Sequence, residues 1–154
     1  VVSIALVHET LSATSQDLVQ FDEVITKIIQ GASELNIRPN EIQIKKVGEF
    51  GLISSMVATP LALVLTELIH NALEHGLSTS GDLVELRINR QAASMTITVT
   101  DNGAGIPSDF SLELNTNLGL QIVQTLTKNE LAGKIEFIKQ NIGTQVAISF
   151  PLER

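Results

Sequence analysis

Cysteine is absent from this chain, and so are tryptophan and tyrosine. Without a thiol there is no disulfide to staple the core and no thiolate to hold a metal. That absence fits a reducing compartment, and a cytoplasmic location is the expectation. Five phenylalanines are the only aromatic residues, so a pocket for a planar base has to be built from aliphatic side chains. Basic residues are few: 10 Lys and Arg stand against 17 Asp and Glu, for a net charge of −7. With neither a basic stripe nor stacking aromatics, the chain is not expected to bind nucleic acid or a membrane surface. An anionic ligand then has to be held locally, by a metal ion, a helix N-terminus or main-chain NH groups. No apolar run is expected to reach the ~20 residues of a membrane span. The run Leu61–Leu65 is stopped by Thr66 and Glu67.

What remains suffices for one folded domain, since 154 residues with 44% apolar and 18% charged side chains exclude wholesale disorder. The chain opens without Met and in mid-pattern, as an excised piece of something longer would. Residues 1–15 are read as the end of an amphipathic helix, with Ile4, Val7 and Leu11 at i, i+3 and i+7. Such a seam asks for a partner helix, from an upstream region or a second subunit. His8 lies beside it and reads as a structural or surface residue. Residues 16–154 form the main domain.

Along that domain, a helix is expected from Asp22, as N-cap, to about Leu35. A turn spans Asn36 to Glu41, a half-buried strand carries Ile42, Ile44 and Val47, and a loop runs from Gly48 to Ser55 with a short extended piece at Leu52-Ile53. Thr59-Pro60 opens the strongest helix, to about His75, with Gly76 as its stop. Leu83 to Arg90 and Ser94 to Asp101 read as a hairpin around Gln91-Ala92-Ala93. After a loop from Ile106 to Asn117, a helix covers Leu118 to Thr127. Two strands follow, Gly133 to Lys139 and Thr144 to Phe150. Strands grouped after helices, without regular alternation, predict an α+β two-layer sandwich with the helices on one sheet face.

Four places on this frame carry residues suited to chemistry. On the Pro60 helix, Glu67, Asn71 and His75 stand at i, i+4 and i+8, nearly one face, interrupting an apolar element. A carboxylate and an amide oxygen one turn apart suit a hard cation such as Mg²⁺, although a solvent-facing polar stripe reads equally well from the spacing alone. At Asp101-Asn102-Gly103-Ala104-Gly105 an acid ends a strand, and two glycines free the turn from side-chain clashes. Leu118-Gly119-Leu120 opens a helix whose first NH groups can meet an anion. Gly143-Thr144 enters the last strand, either as a plain hairpin turn or as a hydroxyl for a ligand. Each is weak singly.

Together, in this order, they resemble the boxes of the GHKL ATP-binding family of gyrase, Hsp90, histidine kinases and MutL. Glu67 to His75 is similar to its N box, Asp101 to Gly105 to its G1 box, Leu118 to Leu120 to a reduced G2 box, and Gly143-Thr144 to its GT element. The resemblance implies a Bergerat fold, a mixed sheet with helices on one face. Residues 3–9 and 110–123 resemble sensor histidine kinases of the HWE-related subfamily, which would make residues 1–15 the end of a dimerisation helix. It further implies ATP and Mg²⁺ as cofactors. Asp101 would accept the adenine amino group, with Thr144 completing base recognition. Asn71, with Glu67, would hold Mg²⁺, and Glu67 would orient or activate the reacting group. His75 would approach the phosphates, Gly103 and Gly105 would leave room for the nucleotide, and Leu118, Gly119 and Leu120 would offer backbone NH groups. The activity implied is transfer of the ATP γ-phosphoryl to a histidine upstream of this chain, then to a response regulator, in a homodimeric parent. Three departures stand out: a single glycine in the G2 element, Glu74 where relatives often carry Lys, and a short lid between the G1 and G2 elements without an evident F box. An anti-sigma-type serine kinase and a non-catalytic nucleotide-binding module are the alternatives.

Overall fold

The structure, a computed structural model, describes residues 18–34, 42–76, 81–105 and 118–152, with only the backbone of residues 75 and 76. The seam of residues 1–15, the turn from Asn36 to Glu41 and the loop from Ile106 to Asn117 lie outside the described residues. In chain order the elements are β1 (Leu18–Gln20), α1 (Phe21–Glu34), β2 (Gln43–Val47), β3 (Leu52–Ser54) and α2 (Ser55–Asn71), which runs on into a π turn (Ala72–Gly76). There follow β4 (Leu83–Arg90), β5 (Ser94–Asp101), α3 (Leu118–Asn129), β6 (Lys134–Lys139) and β7 (Thr144–Pro151).

Alternation along β5 fixes the layer order. Met95, Ile97, Val99 and Asp101 are buried, whereas Thr96, Thr98 and Thr100 between them are only partly so. One face of the strand therefore joins the core and the other carries hydroxyls. β5 lies at the centre of a mixed sheet in the order β2-β4-β5-β7-β6, with β2 parallel to β4 and the other pairs antiparallel. The β4–β5 hairpin turns at Gln91, Ala92 and Ala93, as its sequence predicts, and Gln91 N donates to Ser94 O at 2.8 Å. The inward row shares one core with the buried residues of α1, α2 and α3, so the expected α+β sandwich is the one observed. Asp101 closes that row. The period of two places a carboxylate on the covered face of the sheet.

α2 is the central helix, buried nearly all round by Val57, Ala58, Leu61, Ala62, Val64, Leu65, Leu68 and Ile69. It starts at Ser55 rather than at Pro60. Ser54 is its N-cap and accepts from Met56 N at 3.2 Å, a role the sequence reading gave to Thr59. Pro60 sits inside the helix, where it forgoes one hydrogen bond, to the carbonyl of the exposed Met56. Burial of Val57 and Ala58 on the added turn outweighs that single loss. With this extension the helical stretch Ser55–Glu74 is long and apolar enough, at a mean hydropathy of 1.4, to meet the length and composition of a membrane span. The expectation that no run does so is corrected by the five residues gained. Most of its large apolar side chains are buried inside the domain, so that surface is already used by the core.

α1 begins at Phe21, directly after β1, and Asp22 is not its cap. Its carboxylate turns away to accept from Phe50 N and Gly51 N, both at 2.9 Å, and from Lys46 Nζ at 2.8 Å. Those bonds hold the turn before β3, which pairs antiparallel with β1 through Val19↔Ile53. Partial burial works to raise the Asp22 pKa, but the Lys46 ammonium and the two NH groups outweigh it and hold it below the ordinary 3.8. Burial likewise works against the Lys46 charge, and its Asp22 and Glu49 partners raise it above 10.5. Asp22→Ala is expected to cost about 2–4 kcal/mol in urea unfolding at neutral pH, because Phe50 N is left without its acceptor. The carboxylate's contribution is complete above its unfolded value and is lost as pH falls through the lowered folded one. That of Lys46 is complete below 10.5 and is lost as pH rises through the raised folded value. A variant matching the parent's urea midpoint at pH 7 would show that the clamp adds nothing.

Candidate functional site

The exposed side of α2's last turns forms one wall of a cleft of about 260 Å³. Glu67, His70, Asn71 and Glu74 line it from α2 and the π turn, and Leu118, Gly119 and Leu120 line it from the start of α3. A buried helix can present polar groups only on the strip where no neighbour packs, and this strip faces α3's first turn. α3 brings the positive end of its dipole to a wall opposite two carboxylates. His70 Nε2 and Glu74 Oε2 are 2.9 Å apart, with both side chains more than half exposed. A pair so open to water is worth at most about 1 kcal/mol, so its effect on the cleft is to direct two side chains rather than to stabilise the fold.

A second cluster sits where β5 ends. Asp101, 5% exposed, accepts from Gly103 N at 2.9 Å and from the Thr144 main-chain NH. The first bond is an Asx turn, a side chain closing on the NH two residues ahead. The second follows from register, because Asp101 lies opposite Thr144 in the β5–β7 ladder. Burial raises the Asp101 pKa above 3.8, and the two NH groups offset only part of that. Gly105 and Gly143 close the cluster, both at positive φ, +87° and +83°. A Cβ on Gly143 would lie 1.8 Å from Asp101 O, so the β6–β7 turn lies directly on the backbone of the acid. Here is a carboxylate that is costly to charge and held by two main-chain NH groups.

Of the residues singled out from sequence, the structure gathers Glu67, Asn71, Leu118, Gly119 and Leu120 around the cleft. It gathers Asp101, Gly103, Gly105 and Thr144 in the cluster at the end of β5. β5 packs against the π turn, which links the two groups, but Asp101 does not line the cleft itself. The side chain of His75 lies outside the described residues. Sequence reasoning missed His70, whose position three residues after Glu67 and four before Glu74 puts it on the same strip. Glu74 is likewise a wall of the cleft, beyond being a departure from a family pattern. The π turn was also missed, since it leaves no periodic signal.

The chain belongs to the family of histidine kinase-, DNA gyrase B- and HSP90-like ATPases, whose profile matches residues 56–154. It is 39% identical to the sensor histidine kinase PdtaS of Mycobacterium tuberculosis over 99% of its length and 31% of that protein's. Against PdtaS of Mycolicibacterium smegmatis it is 37% identical over 100% of its length and 32% of the relative. The chain thus spans about a third of these sensor kinases. Among solved structures, the histidine kinase domain of a blue-light-activated histidine kinase from Erythrobacter litoralis superimposes with a TM-score of 0.83 at 23% identity, covering 97% of this chain and 71% of that one.

Proposed function

We propose that this chain is the ATP-binding catalytic part of a sensor histidine kinase. The observation that carries the reading is the placement of Glu67 and Asn71 across one cleft from the N-terminal turn of α3. Likeness to sensor histidine kinases over nearly the whole chain supports it. The triphosphate would lie between those walls and the adenine amino group would donate to Asp101. Thr144 adds its side-chain hydroxyl to the base site. In transfer, the bond from the γ-phosphorus to the β–γ bridging oxygen breaks while a bond to an imidazole nitrogen forms, and ADP leaves. Glu67 is the carboxylate placed to orient that imidazole and accept its proton. The acceptor is a histidine upstream of this chain, other than His8, and the phosphoryl group passes on to a response-regulator aspartate. A homodimeric, cytoplasmic parent accords with the seam of residues 1–15 and with the absence of cysteine.

Mg²⁺ fits the donor set here. No group of three or more His, Cys, Asp or Glu side chains able to hold a metal occurs among the described residues. Glu67 and Asn71 supply oxygens of the kind the ion takes, and phosphate and water oxygens would complete its shell, so ion and nucleotide would enter together. Once bound, the ion would neutralise phosphate charge.

Calorimetry of Mg-ATP and Mg-ADP against this chain tests the reading, with saturable binding expected and none overturning it. Radiolabelled ATP should leave this chain unlabelled, whereas a longer chain containing the upstream histidine should acquire acid-labile phosphate. Label on His8 would reverse the acceptor assignment, and acid-stable phosphate would favour the serine-kinase alternative. Asn71→Asp is expected to weaken Mg-ATP by about tenfold, ~1.4 kcal/mol, because it adds a third carboxylate to a cleft that must take a polyanionic phosphate chain. The thermal midpoint should stay put, since Asn71 is only partly buried. Unchanged affinity would remove Asn71 from the site.

A further inference from the structure

The residue after Asp101 points out of the base cluster into a different set of bonds. Asn102 Oδ1 accepts from Asp82 N at 2.9 Å and from Leu83 N at 3.0 Å, while its Nδ2 donates to Asp82 Oδ1 at 2.9 Å. Its own NH donates to Leu83 O at 3.3 Å. The β4–β5 ladder proper ends one pair earlier, at Val84↔Asp101. Asp82 is also tied sideways, its carbonyl accepting from Gln43 N at 2.8 Å at the head of β2. One amide thus closes the junction of three strands, with every polar atom of its side chain engaged.

We infer that Asn102 is a positioning residue for base recognition, fixing the Asp101 carboxylate through the backbone without touching the nucleotide. Asp101 has main-chain neighbours on each side to settle its aim: β5 behind it and the Asn102–Gly103 peptide ahead. The forward one belongs to a glycine-containing turn, which has little stiffness of its own. The bracket to Asp82 and Leu83 supplies that stiffness, and Gly103 N, one residue on, makes the bond that aims the carboxylate. Asn102 faces the start of β4 because side chains alternate along an extended chain, so it cannot share the base with Asp101.

The inference rests on the proposed adenine site, and its test separates the two. Fluorescence or calorimetric titration of this chain with Mg-ATP and Mg-GTP gives the ratio of the two Kd values. Asn102→Ala is expected to cut the preference for ATP by about tenfold, the effect of loosening a donor–acceptor match rather than deleting it. Asn102→Asp should do the same, because it sets two carboxylates side by side. The exchange pair Asp82→Asn with Asn102→Asp keeps an acceptor oxygen at position 102 for both main-chain NH groups, reverses only the bond between the two side chains, and should recover the parent ratio. A purely structural amide would move the thermal midpoint and leave the ratio alone. The inference is overturned if Asp101→Asn abolishes the preference while both Asn102 variants keep it, or if the exchange pair restores the midpoint but not the ratio. A parent with no preference, unaffected by Asp101→Asn, would remove the base site and this inference together.

Discussion

Asp101→Asn is expected to weaken ATP binding by about 100-fold, ~2.7 kcal/mol, with little change in the thermal midpoint. The carboxylate is a pure acceptor, already taking Gly103 N and the Thr144 main-chain NH, and the adenine amino group would be its third donor. An amide brings one acceptor oxygen and an NH₂ that faces donors wherever it is turned. Stability changes little because the same substitution removes a charge that is costly to bury. The pH dependence carries a sign. The folded pKa of Asp101 is raised above 3.8, so its contribution to stability is complete below the unfolded value and is lost as pH rises through the folded one. Donation from adenine favours the ionised form, so ATP affinity should fall as pH is lowered through that raised value. Asp101→Asn should flatten the profile. Calorimetry of both chains across the acidic range decides it, and parallel profiles would mean that Asp101 does not meet the base.

Gly143→Ala is expected to cost at least about 3 kcal/mol in chemical denaturation and to abolish detectable nucleotide binding. The added carbon would stand 1.8 Å from Asp101 O, 2.7 Å from Asp101 C and 2.9 Å from Asn102 Cα. All three are backbone atoms, so relief requires moving the β5 end away from β7 rather than turning a side chain. The φ of +83° adds strain of its own. Gly105→Ala is the matched control: φ there is +87°, but its nearest new contact is Gly143 O at 3.3 Å. It should cost roughly 1 kcal/mol, the strain alone. Equal effects of the two substitutions would show that the β6–β7 turn shifts freely and that the close approach is unimportant.

Much of this arrangement is written locally in the chain. The β4–β5 hairpin, the buried row ending in Asp101 and the helix start at Leu118 all follow from side-chain period and turn residues. So does the pairing of Glu67 with Asn71 on one strip, because one turn of helix separates them whatever else the chain does. What escaped sequence reasoning depends on distant partners. Asp22 reads as a cap from its neighbours, yet its acceptors are satisfied by Phe50 and Gly51, 28 and 29 residues away. Pro60 reads as a helix start, and only the burial of Val57 and Ala58 against the rest of the core reveals that it is not. His70 was invisible because its role depends on α3 crossing nearby. Asn102 was hidden inside a motif whose glycines and acid take the attention, and its partners lie 19 and 20 residues back.

The π turn at Ala72–Gly76 has a bearing on how this domain tolerates changes in length. Five residues per hydrogen-bonded ring instead of four amounts to one surplus residue carried in an otherwise regular spiral. Losing any single residue there would let the spiral close up with better hydrogen bonding, and local helical order would rise. β5 packs against this turn, so the regularised spiral would meet the strand that carries Asp101 with a different set of side chains. The irregular turn is thus part of the packing that joins the two groups of site residues.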